Sequence, residues 1–347
     1  MSAVRRALSH GSVLAFLILV VMYVVYMYSS IDVLTLGNAT DLLNNAAPLV
    51  IAATGLTLVI VSGGFDLSIG GVVVLANVIL ATHSGSTTGS GLVAVAVALL
   101  AGMLVGAING VLIAYLRVQS IAATLGTFIM CSGVALVVMP SPGGSVPDFI
   151  SPGLNSTLGG RLPVALLVIA GCVLTWIAIK RSRFGVYIFA LGSDERSAVQ
   201  SGIRTANVKF RVYLFAGLLY ALSGVMLTAQ TASGDPNGSA LFMVLVFAAV
   251  AIGGSRFGGG HGSALGSIIG AGVLVVLQKM LFALGVSTFY TGIVQGAVLI
   301  LAVLIGLVSL SFAPSGDDLE QPPSTRGSND GGDPVGTTTG GGHVHER

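Results

Sequence analysis

Residues 63–71 read GGFDLSIGG and interrupt two long apolar runs, APLVIAATGLTLVIVS before them and VVVLANVILAT after them. The interruption holds one acid, Asp66, among glycines. An ionisable side chain at membrane depth is costly, so it indicates a function or a specific structural role. Two structural explanations are open. Asp66 lies in water in a short turn at the membrane face, or its carboxylate caps the helix that begins at Leu67 after the turn supplied by Gly63 and Gly64.

The composition of the whole chain indicates a membrane protein. Of its 347 residues 54% are hydrophobic and 8% are charged, whereas about a quarter of the residues in a soluble domain are charged. We therefore predict an all-α, polytopic membrane protein of about ten transmembrane helices. The stretches at 68–83 and 241–254 are short enough to be half-helices or re-entrant segments. The apolar stretches lie at roughly 12–29, 43–62, 68–83, 91–115, 121–139, 163–180, 208–230, 241–254, 264–284 and 289–310.

The distribution of basic residues predicts the orientation of these spans. With ten spans and the N-terminus inside, 13 of the 15 Lys and Arg residues fall on the cytoplasmic side, and only Arg161 and Lys279 fall near the outer face. This asymmetry follows the positive-inside rule. We expect a multi-pass protein of the cytoplasmic membrane with both termini in the cytoplasm.

Composition also divides the chain into two regions. Residues 1–312 contain all the apolar stretches and form the transmembrane domain. Residues 313–347 are poor in apolar residues and rich in Gly, Pro, Ser, Thr and Asp, which predicts a disordered cytoplasmic tail.

Four motifs, in order, resemble those of one family. GGFDLSIGG resembles the G-G-I-D-L-S-V-G-S segment in the permeases of ATP-binding-cassette importers for simple sugars, of the ribose, xylose and galactose type. Residues 106–127, 184–203 and 249–271 resemble the later motifs of these permeases. The similarity covers roughly residues 40–305. Within this resemblance Gly63, Gly64, Asp66, Leu67, Ser68 and Gly70 form a structural and gating motif.

The resemblance assigns the polar segment LGSDERSAVQSGI to coupling with an ATPase. Asp194 can cap a helix of residues 194–201, and Gly202 can end it in a left-handed turn. By itself this pattern also fits a merely solvated loop. In the family this element is the coupling helix, which docks into the cytosolic ATPase. The residues assigned to it here are Gly192, Asp194, Glu195, Ala198, Ser201, Gly202 and Ile203.

The glycine-rich segment IGGSRFGGGHGS resembles a phosphate-binding loop only in composition. It lacks the Gly-Lys-Ser/Thr ending, and no predicted strand precedes it. We therefore expect no cofactor in this chain. The resemblance implies that ATP and Mg²⁺ are bound by a partner ATPase. The sequence also suggests no catalytic residues and no metal ligands.

Polar residues inside the spans are candidates for the solute path. Asn77, Asn109, Thr124 and Thr127 are the first candidates, since an uncharged, hydroxyl-rich solute needs weak, exchangeable hydrogen bonds. Such residues also commonly hydrogen-bond a neighbouring helix, which is the competing explanation.

The leading hypothesis is the permease subunit of an ATP-driven importer for a simple sugar or polyol. The resemblance implies a cytosolic ATPase, a second permease chain that is identical or paralogous, and an extracytoplasmic solute-binding protein, all at the lipid bilayer and without nucleic acid. The alternatives are a branched-chain amino-acid permease of the same importer class and a secondary transporter. The latter would need a coupling-ion site, for which Asp66 is the one candidate.

Overall fold

The computed structural model describes residues 11–29, 34–83, 87–287, 290, 292–298 and 300–301. The predicted tail of residues 313–347 and most of the predicted span at 289–310 lie outside the described residues. The described part is helical apart from loops and one short hairpin. Its elements are α1 (Gly11–Ser29), α2 (Leu36–Val61), α3 (Ser68–His83), α4 (Thr88–Ala114), α5 (Ser120–Val138), α6 (Ser151–Asn155), β1 (Thr157–Leu158), β2 (Leu162–Pro163), α7 (Val164–Arg181), α8 (Arg183–Ser193), α9 (Glu195–Gln200), α10 (Thr205–Thr231), α11 (Ser239–Ile252) and α12 (Ala264–Ala283).

The prediction of an all-α polytopic membrane protein is confirmed. Among the described residues, six helices are long and apolar enough to cross a membrane, namely α2, α4, α5, α7, α10 and α12. Shorter apolar segments accompany them, namely Ser12–Tyr28 within α1 and the helices α3 and α11. The β1–β2 hairpin is antiparallel and lies in the loop before α7, where Pro and Gly residues predict turns.

Helices α2, α3 and α10 form the centre of the fold. Every residue from 68 to 78 in α3 is buried, so this short helix is enclosed on all sides. It contacts α4, α5, α10 and α11. Helices α4, α5 and α7 bury one face and expose large apolar side chains on the other, as expected of helices that face lipid.

Glycine allows the closest helix contact, between α4 and α10. A Cβ atom on Gly217 would overlap the carbonyl oxygen of Gly102 and lie 2.9 Å from the Cα atom of Gly106. Gly102, Gly106 and Gly110 recur at four-residue spacing along α4, and all three pack against α10.

Two elements differ from the sequence prediction. The segment of residues 63–67 between α2 and α3 is called the glycine break below. The helix after it begins at Ser68, one residue later than predicted. The inner segment between α7 and α10 was predicted to hold one short helix at 194–201, but it also holds α8. Helix α8 exists because Gly185, Ile188 and Leu191 recur on one face and are buried there.

Candidate functional site

Asp66 lies at the break between α2 and α3 and is 1% exposed. Its Oδ1 atom accepts hydrogen bonds from the backbone N–H of Ser68, at 2.9 Å, and from the Ser68 hydroxyl, at 2.5 Å. The carboxylate thus satisfies donors at the start of α3, as the capping explanation predicts. The alternative of a water-exposed turn is wrong for this residue. Among the described residues, the recorded ion pair does not involve Asp66.

The Asp66 cap continues into a network that joins α3, α4 and α5. Asn109 donates from Nδ2 to the Ser68 hydroxyl oxygen at 2.9 Å, and Thr127 donates to Asn109 Oδ1 at 2.9 Å. Thr124 Oγ1 accepts the backbone N–H of Leu67 at 3.0 Å. Three candidate solute-path residues therefore meet the glycine-break motif in one hydrogen-bonded cluster.

Asn77 forms hydrogen bonds towards the opposite end of α3. Its Nδ2 atom donates to Thr228 Oγ1 at 2.8 Å and to the Ser233 carbonyl at 3.0 Å. Its Oδ1 atom accepts the backbone N–H of Asp235 at 2.8 Å. Asn77, Asn109, Thr124 and Thr127 are at most 6% exposed, and in this conformation they bond neighbouring elements. Their role in a solute path stays a prediction.

The segment resembling a coupling helix forms a compact, exposed turn of helix. Asp194 caps α9 by accepting the backbone N–H groups of Arg196, at 3.0 Å, and Ser197, at 3.3 Å. Gly202 follows with a φ of +80°, and the Ile203 N–H returns to the Ala198 carbonyl at 3.1 Å. Ala198 is buried against the rest of the chain, while Glu195 and Ser201 stay exposed.

Two charged contacts fix this segment. The hydroxyl of Ser197 donates to the Asp194 carboxylate, and this bond, followed by the Arg196 N–H, holds the pKa of Asp194 below its ordinary value. Lys209 Nζ of α10 lies 2.7 and 2.8 Å from the two carboxylate oxygens of Glu195. Since the Glu195 side chain is 51% exposed, this ion pair contributes about 1 kcal/mol or less to stability.

Three glycine-containing segments meet where α8 reaches the glycine break. The N–H of Gly260 donates to the Val61 carbonyl at 2.9 Å. A Cβ atom on Gly192 would overlap that same carbonyl oxygen, and a Cβ atom on Gly259 would lie 2.8 Å from the Cα atom of Gly63. We call this contact of residues 61–63, 192 and 259–260 the glycine junction. It joins three of the four sequence motifs through backbone atoms.

A cleft of about 700 Å³ opens beside the glycine junction. Its wall includes Asp194, Glu195 and Lys209, together with Arg117 from the turn between α4 and α5. Arg117 adopts a left-handed φ of 57°, which is uncommon for a residue with a side chain. The hydroxyl of Tyr213 donates to the Phe65 carbonyl at 3.0 Å and ties the break to α10.

Sequence reasoning identified the motifs but missed several residues of the site. Tyr213 and Arg117 were not predicted to belong to it. The hydroxyl of Tyr213 within the predicted span at 208–230 was a signal, because such a group needs a partner when buried. The left-handed turn at Arg117 leaves no pattern in the sequence.

The fold and these motifs define a class, the permease components of membrane transport systems. The family model described as "Branched-chain amino acid transport system / permease component" matches residues 38–303. The chain belongs to this family.

Individual relatives have more specific names. The chain is 36% identical to the ribose import permease protein RbsC of Escherichia coli over 277 residues, 78% of this chain and 86% of the relative. It is 33% identical to the ribose import permease of Bacillus subtilis, over 77% of this chain and 84% of the relative. It is also 33% identical to the galactofuranose transporter permease YtfT of Escherichia coli, over 78% and 79%. No solved structure matches the chain.

Proposed function

We propose that this chain is the permease subunit of an ATP-driven importer that moves a simple sugar or polyol across the cytoplasmic membrane. The observation that carries the proposal is the glycine junction, in which Gly192 near the end of α8 is in backbone contact with residues 61–63. The capped, exposed helix α9 begins three residues after Gly192. The names of the relatives, which are ribose and galactofuranose permeases, support a sugar as the solute.

The proposal includes three partner proteins that assemble with this chain. A cytosolic ATPase binds ATP and Mg²⁺, an extracytoplasmic protein delivers the solute, and a second permease chain completes the path. The chain itself has ten spans with both termini in the cytoplasm, which agrees with the distribution of its Lys and Arg residues. Helix α9 is the contact that transmits closure of the ATPase to the membrane helices.

The first experiment is purification in mild detergent with mass spectrometry of the proteins that accompany the chain. A stoichiometric ATPase is the expected result. Reconstitution of the complex with its binding protein then measures ATP-driven uptake of ribose, galactose and leucine. Uptake of leucine alone would favour the branched-chain amino-acid alternative, which the family description suggests. Gradient-driven uptake by the chain alone would overturn the proposal in favour of a secondary transporter.

Two variants test the coupling role of α9. Glu195→Arg reverses the charge facing Lys209, and Gly202→Pro replaces the residue whose φ is +80° with one that cannot adopt this angle. Both variants should reach the membrane but lose at least about tenfold in ATP-driven uptake, as expected when a lever between two sites is broken. Glu195→Gln is the matched control for local structure. Normal uptake by both variants would exclude a coupling role.

A further inference from the structure

Three phenylalanine rings meet beside the glycine junction. Phe65 comes from the break before α3, Phe247 from α11, and Phe257 from the loop between α11 and α12. The ring centroid of Phe65 lies 5.5 Å from that of Phe247 and 5.6 Å from that of Phe257. The centroids of Phe247 and Phe257 are 6.2 Å apart. Each ring therefore touches both others, although the three residues are far apart in sequence.

The cluster lies at the inner end of the seam between α3 and α11. Further along the seam, a Cβ atom on Gly70 would lie 2.9 Å from the Cβ atom of Met243, which is one turn before Phe247. The three rings are only partly buried, so one side of the cluster is open rather than enclosed in the core. Asp66, the residue next to Phe65, is by contrast fully enclosed.

Two of the rings are attached to backbone that forms the glycine junction. Phe65 follows Gly63 by two residues, and Phe257 precedes Gly259 by two residues. Both of these glycines pack against Gly192, which precedes α9. A displacement of α8 and α9 therefore acts on Phe65 and Phe257 through backbone contacts that have no flexible side chain between them. Phe247, on the helix α11, is outside the junction and remains as the opposing surface.

We infer that Phe65, Phe247 and Phe257 form a hydrophobic gate at the inner end of the solute path. Packed together, the rings exclude water and hydroxyl-bearing solutes from the passage. Movement of α9 separates Phe65 and Phe257 from Phe247 and opens it. The inference rests on the proposed function, because it assumes that a solute crosses the membrane beside α3 and α11.

The test is the leak of solute through the complex of this chain with its co-purified ATPase in proteoliposomes. The vesicles are loaded with radiolabelled ribose and mannitol, and efflux is measured without ATP. Wild type should retain both compounds, whereas Phe247→Ala should release both about tenfold faster, since an unsealed hydrophobic constriction needs no recognition of the solute. Phe257→Ala, in a loop, should act in the same direction and covers the case in which the α11 variant does not fold.

Two controls separate a gate from simple packing. Phe16→Ala makes the same change on α1, where the ring is 52% exposed, and should leave efflux unchanged. Phe247→Leu retains apolar bulk and should restore the seal. Tight vesicles for both alanine variants, whether their ATP-driven uptake is normal or reduced, would overturn the gate and leave a packing role. Absence of ATP-driven uptake by wild type would instead overturn the proposed function.

Discussion

Helices α2 and α4 are both long enough to cross a bilayer, but they have opposite surroundings. In the most apolar part of α2, 94% of residues are buried, whereas in α4 the share is 28%. The mean hydropathy runs the other way, at 1.7 for α2 and 2.6 for α4. The more apolar helix thus lies at the periphery of the protein.

The difference shows which kinds of residue determine that a helix lies inside this protein. Lipid tails are as apolar as leucine, so apolar side chains gain little by leaving the lipid. Polar groups, by contrast, gain hydrogen-bond partners when they leave the lipid for the interior of the protein. Thr57 of α2 hydrogen-bonds Ser267 of α12 at 2.7 Å, and Ser223 of α10 donates to the Pro48 carbonyl of α2 at 2.7 Å. Polar and small residues therefore define the interior.

The largest effect on stability is expected when one methyl group is added at a glycine between inner helices. The same change at a glycine on an outer helix is the comparison. Gly217→Ala should lower the free energy of unfolding by about 3 kcal/mol, because its Cβ would overlap the backbone of α4. Gly171→Ala on α7 meets nothing within 4 Å and should be neutral or stabilising by up to about 1 kcal/mol. Thermal unfolding in detergent compares the two variants. Equal losses would break the distinction between inner and outer helices.

The next effect concerns the polar network. Asn109→Ala removes hydrogen bonds to Ser68 and Thr127 and should cost about 1–3 kcal/mol, at up to about 1.7 kcal/mol for each bond between membrane helices. Ile108→Ala, at a neighbouring residue that is 41% exposed, should cost less. A double-mutant cycle of Asn109→Ala with Thr127→Val should give losses that are smaller together than their sum. Strict additivity would mean that the two residues do not act together.

Removing the buried charge of Asp66 should reduce transport but should lower stability only slightly. Asp66→Asn keeps an oxygen that can accept from Ser68, so the expected loss of stability is about 1 kcal/mol or less. The amide makes weaker bonds than a carboxylate, so the start of α3 is held less firmly and ATP-driven uptake should fall. The ratio of ribose to galactose uptake should stay the same. A changed ratio would place Asp66 on the solute path.

The smallest effect on stability is expected for the cap of the exposed helix α9. Asp194→Ala removes the cap of α9 and should raise hydrogen exchange in residues 195–200, whereas Asp194→Ser retains a capping oxygen. The lowered pKa of Asp194 means that ionisation stabilises the cap fully above the ordinary value of 3.8 and that this contribution is lost as the pH falls through the lower folded-state value. The protection factors of these amides, in which the intrinsic pH dependence of exchange is divided out, should therefore be constant between about pH 5 and 8. Dependence on pH in that range would implicate another group.

Much of this architecture could be predicted from the sequence. The apolar runs located the helices, and Asp66 beside two glycines indicated a capped break. Asp194 and Gly202 likewise indicated the two ends of α9. These features depend on residues close together in the chain, where propensity and capping rules apply directly.

The meeting of these motifs could not be predicted in the same way. That Asn109 and Thr127 would bond the break, or that Gly192 would contact Val61, depends on tertiary packing between distant residues. Hydropathy gave no guide to which helices lie inside, since α2 and α4 differ in the unexpected direction. Helix α8 was missed because a short amphipathic helix between charged residues looks like part of a loop.

The enclosure of α3 has a consequence for how the protein responds to bilayer thickness. With 16 residues, α3 is about 24 Å long, shorter than the hydrocarbon layer of about 30 Å. Because α3 is enclosed by protein, its length does not have to match the lipid. A thicker or thinner bilayer is accommodated by tilt of the outer helices, among which α4 has 27 residues and extends about 40 Å. The break at Asp66 is thereby separated from the mechanical state of the membrane, and its geometry can stay constant as the lipid composition changes.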